Sequence, residues 1–164
     1  AVMTDKIKLL IVDDEVKFLE AIAKRLEMRD FDVTTASNGR DAIEAARHQL
    51  FDLALLDLKM PGMNGREVLE ALKSQHRYLE VIILTGHGSL DSAVECTKLG
   101  AYGYLPKPYE LDRLIETLKD AYQHRLEHKF EHDRERLENL LKDAVGESPL
   151  GILRRLRSID TDER

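Results

Sequence analysis

The chain has little of what several protein classes require. Its 164 residues include one cysteine, Cys96, which rules out an internal disulfide framework and fits a reducing compartment. Cys96 falls in an apparent helix with no paired histidine motif, so a packed structural thiol is expected rather than a nucleophile. No apolar run approaches the about 20 residues of a membrane span, and no signal peptide is visible, so a cytoplasmic chain is expected. There is no surplus of positive charge. The formal net charge is −6, so no general field gathers phosphates, and direct binding of nucleic acid is not expected. No internal repeat or low-complexity segment interrupts the chain. No glycine-rich loop ending in Gly-Lys-Ser or Gly-Lys-Thr occurs, which excludes a phosphate-loop ATPase site. What is present, 43% hydrophobic and 34% charged residues, suits one soluble domain with a sizeable core and an appendage. The chain opens at Ala1, and Met3 is read as the natural start.

The residues that remain alternate regularly between two periods. Ile7-Lys8-Leu9-Leu10-Ile11-Val12 is a β-type run that ends in Asp13-Asp14-Glu15. Phe18, Leu19, Ile22, Leu26 and Met28 follow at helical spacing. Val33 to Ala36 reads as a short strand, and Ser37-Asn38-Gly39 opens a helix through Ala42, Ile43 and Ala46. Leu53-Ala54-Leu55-Leu56 is an unbroken apolar run, the pattern of a strand buried on both faces. It ends on Asp57, with Pro61-Gly62 and Asn64-Gly65 close behind as turn signals. A helix is expected from about Gly65 to Gln75, with Val68, Leu69 and Leu72 inward. Val81 to Leu84 is another buried strand, ending at Thr85 before Gly86-His87-Gly88. Leu90 to Leu99 fits a short helix stopped by Gly100, and Tyr102 to Leu105 a fifth strand closed by Pro106-Lys107-Pro108. Five βα units imply a parallel, doubly wound sheet; a barrel needs eight.

Such a sheet brings its strand ends to one edge, where ligands bind. Those ends offer Asp13 and Asp14, Asp57, Thr85 and Lys107. Each has a plainer reading alone: the acids as helix or turn caps, the lysine as a solvated charge. Their occurrence at four successive strand ends argues for a site. Three carboxylates within a few ångströms cannot all stay charged without a cation, and Mg²⁺ takes few protein carboxylates and keeps waters for a phosphate oxygen. Carboxylates, a hard cation, a hydroxyl and a lysine suit phosphoryl transfer, with a carboxylate as the nucleophile. Asp57 is the nucleophile candidate, because it ends the central strand. Asp13 and Asp14 are the metal candidates, with the Lys59 backbone carbonyl as a further ligand, and Thr85 and Lys107 are placed to bind phosphoryl oxygens. A haloacid-dehalogenase-like phosphatase would need a second aspartate where Lys59 stands. A dinucleotide fold would need glycines where Asp13-Asp14-Glu15 stands.

The segments Val12-Asp13-Asp14-Glu15, Leu56 to Gly65, Leu84-Thr85-Gly86 and Lys107-Pro108, in this order, resemble the receiver domains of bacterial two-component response regulators. The resemblance covers roughly Lys6 to Leu118. It implies a flavodoxin-like sheet of order 2-1-3-4-5 and phosphorylation of Asp57, with Mg²⁺, from a phosphohistidine on a sensor histidine kinase or phosphotransfer protein. It also implies a switch pair, Thr85 and Tyr104, whose hydroxyl turns toward the phosphoryl group as the ring moves inward. Residues 5–122 would form the receiver.

The remainder is expected to carry the output. From Tyr109 to about Val145 no proline or glycine occurs, too long a helix for closing a small domain. Leu111, Leu114, Ile115, Leu118, Ala121 and Tyr122 suffice to cover the sheet. Residues 123–145 continue with a narrow seam of Leu126, Phe130, Leu137, Leu140, Leu141, Ala144 and Val145 that is not a clean heptad. A helix with an apolar stripe and no domain beneath it wants a partner helix, so a homodimer through this extension and the last strand–helix face is expected. His124, His128 and His132 share one helix face but lack a supporting Cys or carboxylate motif, so a solvated polar face is expected over a metal site. In 146–164, Gly146-Glu147-Ser148-Pro149 stops the long helix, and Leu150, Ile152, Leu153, Leu156 and Ile159 suggest a short amphipathic one. This stretch resembles the entry to the ATPase domain of enhancer-binding transcription activators. Arg154, Arg155 and Arg157 are too few to indicate DNA binding. Ser158 to Arg164 reads as an ordinary polar terminus.

Overall fold

In a computed structural model the described residues are 5–60, 62, 64–86, 90–143, 146 and 148–160. Met3, Pro61, His87, Gly88, Ala144, Val145, Glu147 and residues 161–164 lie outside them, as do the side chains of Arg155, Leu156, Ser158 and Ile159. Strands β1 (Ile7–Val12), β2 (Phe31–Ala36), β3 (Leu53–Asp57), β4 (Glu80–Thr85) and β5 (Gly103–Pro106) alternate with α1 (Val16–Glu27), α2 (Gly39–His48), α3 (Gly65–Gln75), α4 (Leu90–Lys98) and α5 (Leu111–Asp143). A further helix, α6 (Pro149–Asp160), follows. The sheet is parallel in the order β2-β1-β3-β4-β5, as the resemblance implied.

Strand alternation divides the core in two. Leu9, Ile11, Leu53, Leu55, Ile82, Leu84 and Leu105 face Leu19, Ile22 and Leu26 of α1 and Leu114, Ile115 and Leu118 of α5. Leu10, Val12, Ala54, Leu56, Val81 and Ile83 face α2, α3 and α4. β3 is buried at every position, as a strand covered on both faces must be. Two helix starts carry asparagine caps: Asn38 Oδ1 accepts from the Asp41 N–H at 2.8 Å, and Asn64 Oδ1 from the Arg66 N–H at 3.0 Å. Gly100 ends α4 at φ +112, a left-handed conformation that suits glycine.

Two expectations need correction. Met28 sits past the end of α1 and is 85% exposed, so it is no part of that helix's buried stripe. β2 begins at Phe31, not Val33, and Phe31 is fully buried. His124 and His128 are exposed, as a solvated face would be, but the α5 histidines also make contacts across to the sheet domain. The His128 and His132 rings stand edge-on to Tyr78 of the α3–β4 loop, with centroids 5.7 and 5.6 Å away, and His124 lies 5.4 Å from the Tyr102 ring. His124 Nδ1 approaches the buried Glu80 carboxylate at 3.3 Å, and Arg77 Nη1 lies 2.9 Å from His132 Nε2. Arg125 pairs with Asp52 at 3.3 Å.

Helix α5 therefore stays docked past Ala121, along Arg125, His128 and His132, by polar and aromatic contacts. Its 33 residues span about 50 Å. Leu126, Phe130, Leu137 and Leu141, nearly half a turn around the helix from the docked stripe, are exposed. Among the described residues no helix is long and apolar enough to cross a membrane.

Candidate functional site

The carboxyl ends of β1, β3, β4 and β5 meet where the strand order reverses, and the chain turns there to place its polar groups. Asp13 follows β1 and is fully buried. Its Oδ1 accepts the Glu15 N–H at 3.0 Å, and its own N–H donates to the Ala36 carbonyl at 3.1 Å. Asp57 ends β3 and is 5% exposed, and its Oδ1 accepts the Lys59 N–H at 3.1 Å. Lys107 follows β5, and its N–H donates to the Thr85 carbonyl at 2.7 Å, which ties the fifth strand end to the fourth. Its Nζ then reaches across to donate to Asp13 Oδ2 at 3.1 Å and Asp57 Oδ2 at 3.4 Å. Asp14 is exposed at the rim, and one carboxylate oxygen from each of Asp13, Asp14 and Asp57 lies within 4.8 Å of the others.

The charges do not balance. Burial holds the Asp57 carboxyl above the ordinary carboxylate range. The Asp13 charge adds to this, and the Lys59 amide and Lys107 offset it only in part. Burial alone would lower Lys107, but Asp57 and Asp13 together outweigh it and hold its ammonium above the usual lysine value. The Lys107 ammonium contacts two of the three carboxylates, Asp13 and Asp57, and the hard oxygen donors of all three suit a divalent cation of the Mg²⁺ class. Among the described residues this is the one group of three or more such side chains that could hold a metal; the α5 histidines do not form another.

Thr85 is buried, and Tyr104 is 42% exposed on the neighbouring strand. Tyr104 pairs in register with Ile83, two residues before Thr85, so both project to the α4 side of the sheet. The loop after β3 is closed tightly by Gly65, where a Cβ would meet Leu58 Cδ2 at 2.8 Å and Leu58 Cα at 3.1 Å. Phe18, legible in the sequence only as an apolar α1 position, also borders the site: Lys107 Nζ lies over its ring, 5.1 Å from the centroid. Tyr109 stands edge-on to Phe18 at 6.3 Å. Its hydroxyl is buried with no hydrogen-bond partner among the described residues, and burial with the charges of Asp13 and Asp57 pushes its pKa well up. A cavity of about 450 Å³, lined by Phe18, Ile22, Arg25, Tyr109 and Leu111, opens beside it.

Residues 9–119 match the family model described as the response regulator receiver domain. The DNA-binding transcriptional regulator NtrC of Escherichia coli (strain K12) is 34% identical over 139 residues, 85% of this chain and 29% of that protein. The transcriptional regulatory protein ZraR of the same strain is 38% identical over 120 residues, 73% of this chain and 27% of that protein. The chain therefore spans less than a third of the length of these relatives. A CheY-like receiver domain protein from Methanospirillum hungatei JF-1 superposes with a TM-score of 0.71 at 29% identity, covering 75% of this chain and 98% of that one. The strand order, the acidic edge with its bridging lysine, and these matches agree: the chain belongs to the family of response regulator receiver domains, phosphorylation-activated signalling switches.

Proposed function

We propose that Asp57 accepts a phosphoryl group from a phosphohistidine on a sensor histidine kinase or phosphotransfer protein, and that Thr85 and Tyr104 transmit the change. One observation carries this reading: Asp57 is buried at the central strand end, beside two further carboxylates, with the Lys107 ammonium held between it and Asp13. Asp13, Asp14, Asp57 and the Lys59 carbonyl would hold Mg²⁺, which when bound supplies positive charge for the incoming phosphoryl oxygens. Lys107 moves with its charge from the Asp57 carboxylate to a phosphoryl oxygen, and the Thr85 hydroxyl turns to another. Tyr104 then follows into the space beside α4. The chain would catalyse only its own phosphorylation and dephosphorylation, in the cytoplasm.

Residues 5–122 would be the receiver, 123–145 a dimer-forming extension and 146–164 a short tail. The exposed seam Leu126, Phe130, Leu137 and Leu141 supports pairing of two copies along α5. A second reading, the regulatory half of a transcription activator, is favoured by the activators among the relatives and by the fraction of their length covered. The test adds beryllofluoride, a stand-in for the phosphoryl group, with Mg²⁺. The amide resonances of Thr85 and Tyr104 should move, and the molar mass by light scattering should change. Spectra and mass that stay unaltered would contradict the switch.

A further inference from the structure

We infer that Phe18 is a positioning residue for phosphoryl transfer: its ring face holds the Lys107 ammonium between Asp13 and Asp57. This rests on the reading of Asp57 as the phosphoryl acceptor. Lys107 projects from the β5–α5 loop, and its side chain, held by two carboxylate contacts, is about a quarter exposed. The Phe18 ring, reaching over from α1, lies 5.1 Å from Nζ, inside the range in which a cation is attracted to a ring face. Tyr109 meets Phe18 edge-on at 6.3 Å, and Phe18 also packs against the α1–α5 core, so the ring is fixed from behind. An aliphatic residue at position 18 still packs against the core but offers no negative face.

The step this serves is phosphoryl transfer to Asp57. An Asp57 carboxylate oxygen forms a bond to phosphorus as the bond from phosphorus to the donor's oxygen or nitrogen breaks. The electron pair leaves with the donor, and Lys107 pairs with a phosphoryl oxygen without losing its proton. A loosely held ammonium reaches that position less often, so the rate falls though the nucleophile is untouched.

The experiment compares wild type, Phe18→Leu and Phe18→Tyr with acetyl phosphate and Mg²⁺. Thermal melts confirm folding, and the Lys107 ε-methylene proton shifts give a reading independent of rate. We expect Phe18→Leu to slow phosphorylation about three- to tenfold, with Lys107 shifts moving toward random-coil values, and Phe18→Tyr to restore both. Equal rates in all three proteins, or equal slowing in both variants, would overturn the proposal. Wild type that takes up no phosphoryl group would instead remove the reading of Asp57 on which it rests.

Discussion

Replacing Asp57 with asparagine should stabilise the fold in the absence of divalent cations. At an effective dielectric near 20, the Lys107 contact at 3.4 Å is worth about 5 kcal/mol of attraction to the Asp57 charge. Repulsion from Asp13, with oxygens within 4.8 Å, is at least about 3.5 kcal/mol on the same scale, and Asp14 adds a solvent-screened share. The pairwise terms thus nearly cancel. Desolvating the carboxylate costs several kcal/mol, and the Lys59 amide returns about 1.5–3 kcal/mol. A net gain of about 1–2 kcal/mol is expected for Asp57→Asn, since asparagine keeps the shape and can accept the same amide.

The sign with pH follows from the raised carboxyl. The folded state holds the Asp57 proton to higher pH than the unfolded chain does. Wild type therefore loses stability as pH climbs from the unfolded carboxylate value through the folded one, and the penalty is constant above. Urea unfolding followed by circular dichroism in EDTA should show the Asp57→Asn midpoint about 0.5–1 M higher at pH 7.5, with the gap closing below about pH 4. Added Mg²⁺ should raise the wild-type midpoint more than that of the variant, because a ligand is missing there. A lower midpoint for Asp57→Asn in EDTA, or a gain that does not shrink at low pH, would refute the reasoning.

Lys107→Met removes the ammonium between Asp13 and Asp57, so Mg²⁺ titrated by calorimetry should bind tighter, while phosphorylation by acetyl phosphate falls at least about tenfold. Gly65→Ala forces a Cβ onto Leu58 and should cost about 1–3 kcal/mol in urea unfolding. A double-mutant cycle of Tyr78→Leu and His128→Ala should give a coupling of about 0.5–1.5 kcal/mol, with amide exchange across residues 124–132 faster in either variant.

The sheet and its acidic edge were legible because of one physical fact. Strands covered on both faces are continuous apolar runs, and a run that stops on a polar residue marks its own end. Leu53 to Asp57, Val81 to Thr85 and Leu9 to Asp13 all read this way. β2 is an edge strand, and only Phe31 and Ala36 within it are buried, so its start at Phe31-Asp32 left no such run. The docking of α5 was hidden for a different reason. The helix keeps its 3–4 spacing through Leu114, Leu118, Ala121, Arg125, His128 and His132, but past Ala121 the residues are cationic or imidazole. Their partners, Tyr78, Glu80 and Asp52, lie far away in sequence. Hydrophobic periodicity registers neither an imidazole against a tyrosine ring nor an arginine on an aspartate. The contact of Phe18 with Lys107 was equally silent, since a phenylalanine at helical spacing is accounted for by the core alone.

The most direct test of the account is to locate the phosphoryl group. The chain is incubated with acetyl phosphate and Mg²⁺, the acyl phosphate is reduced with borohydride, and the modified residue is mapped by peptide mass spectrometry. A homoserine is expected at position 57 in wild type and no modification in Asp57→Asn. Modification at another residue, or labelling of Asp57→Asn at the wild-type rate, would contradict the account.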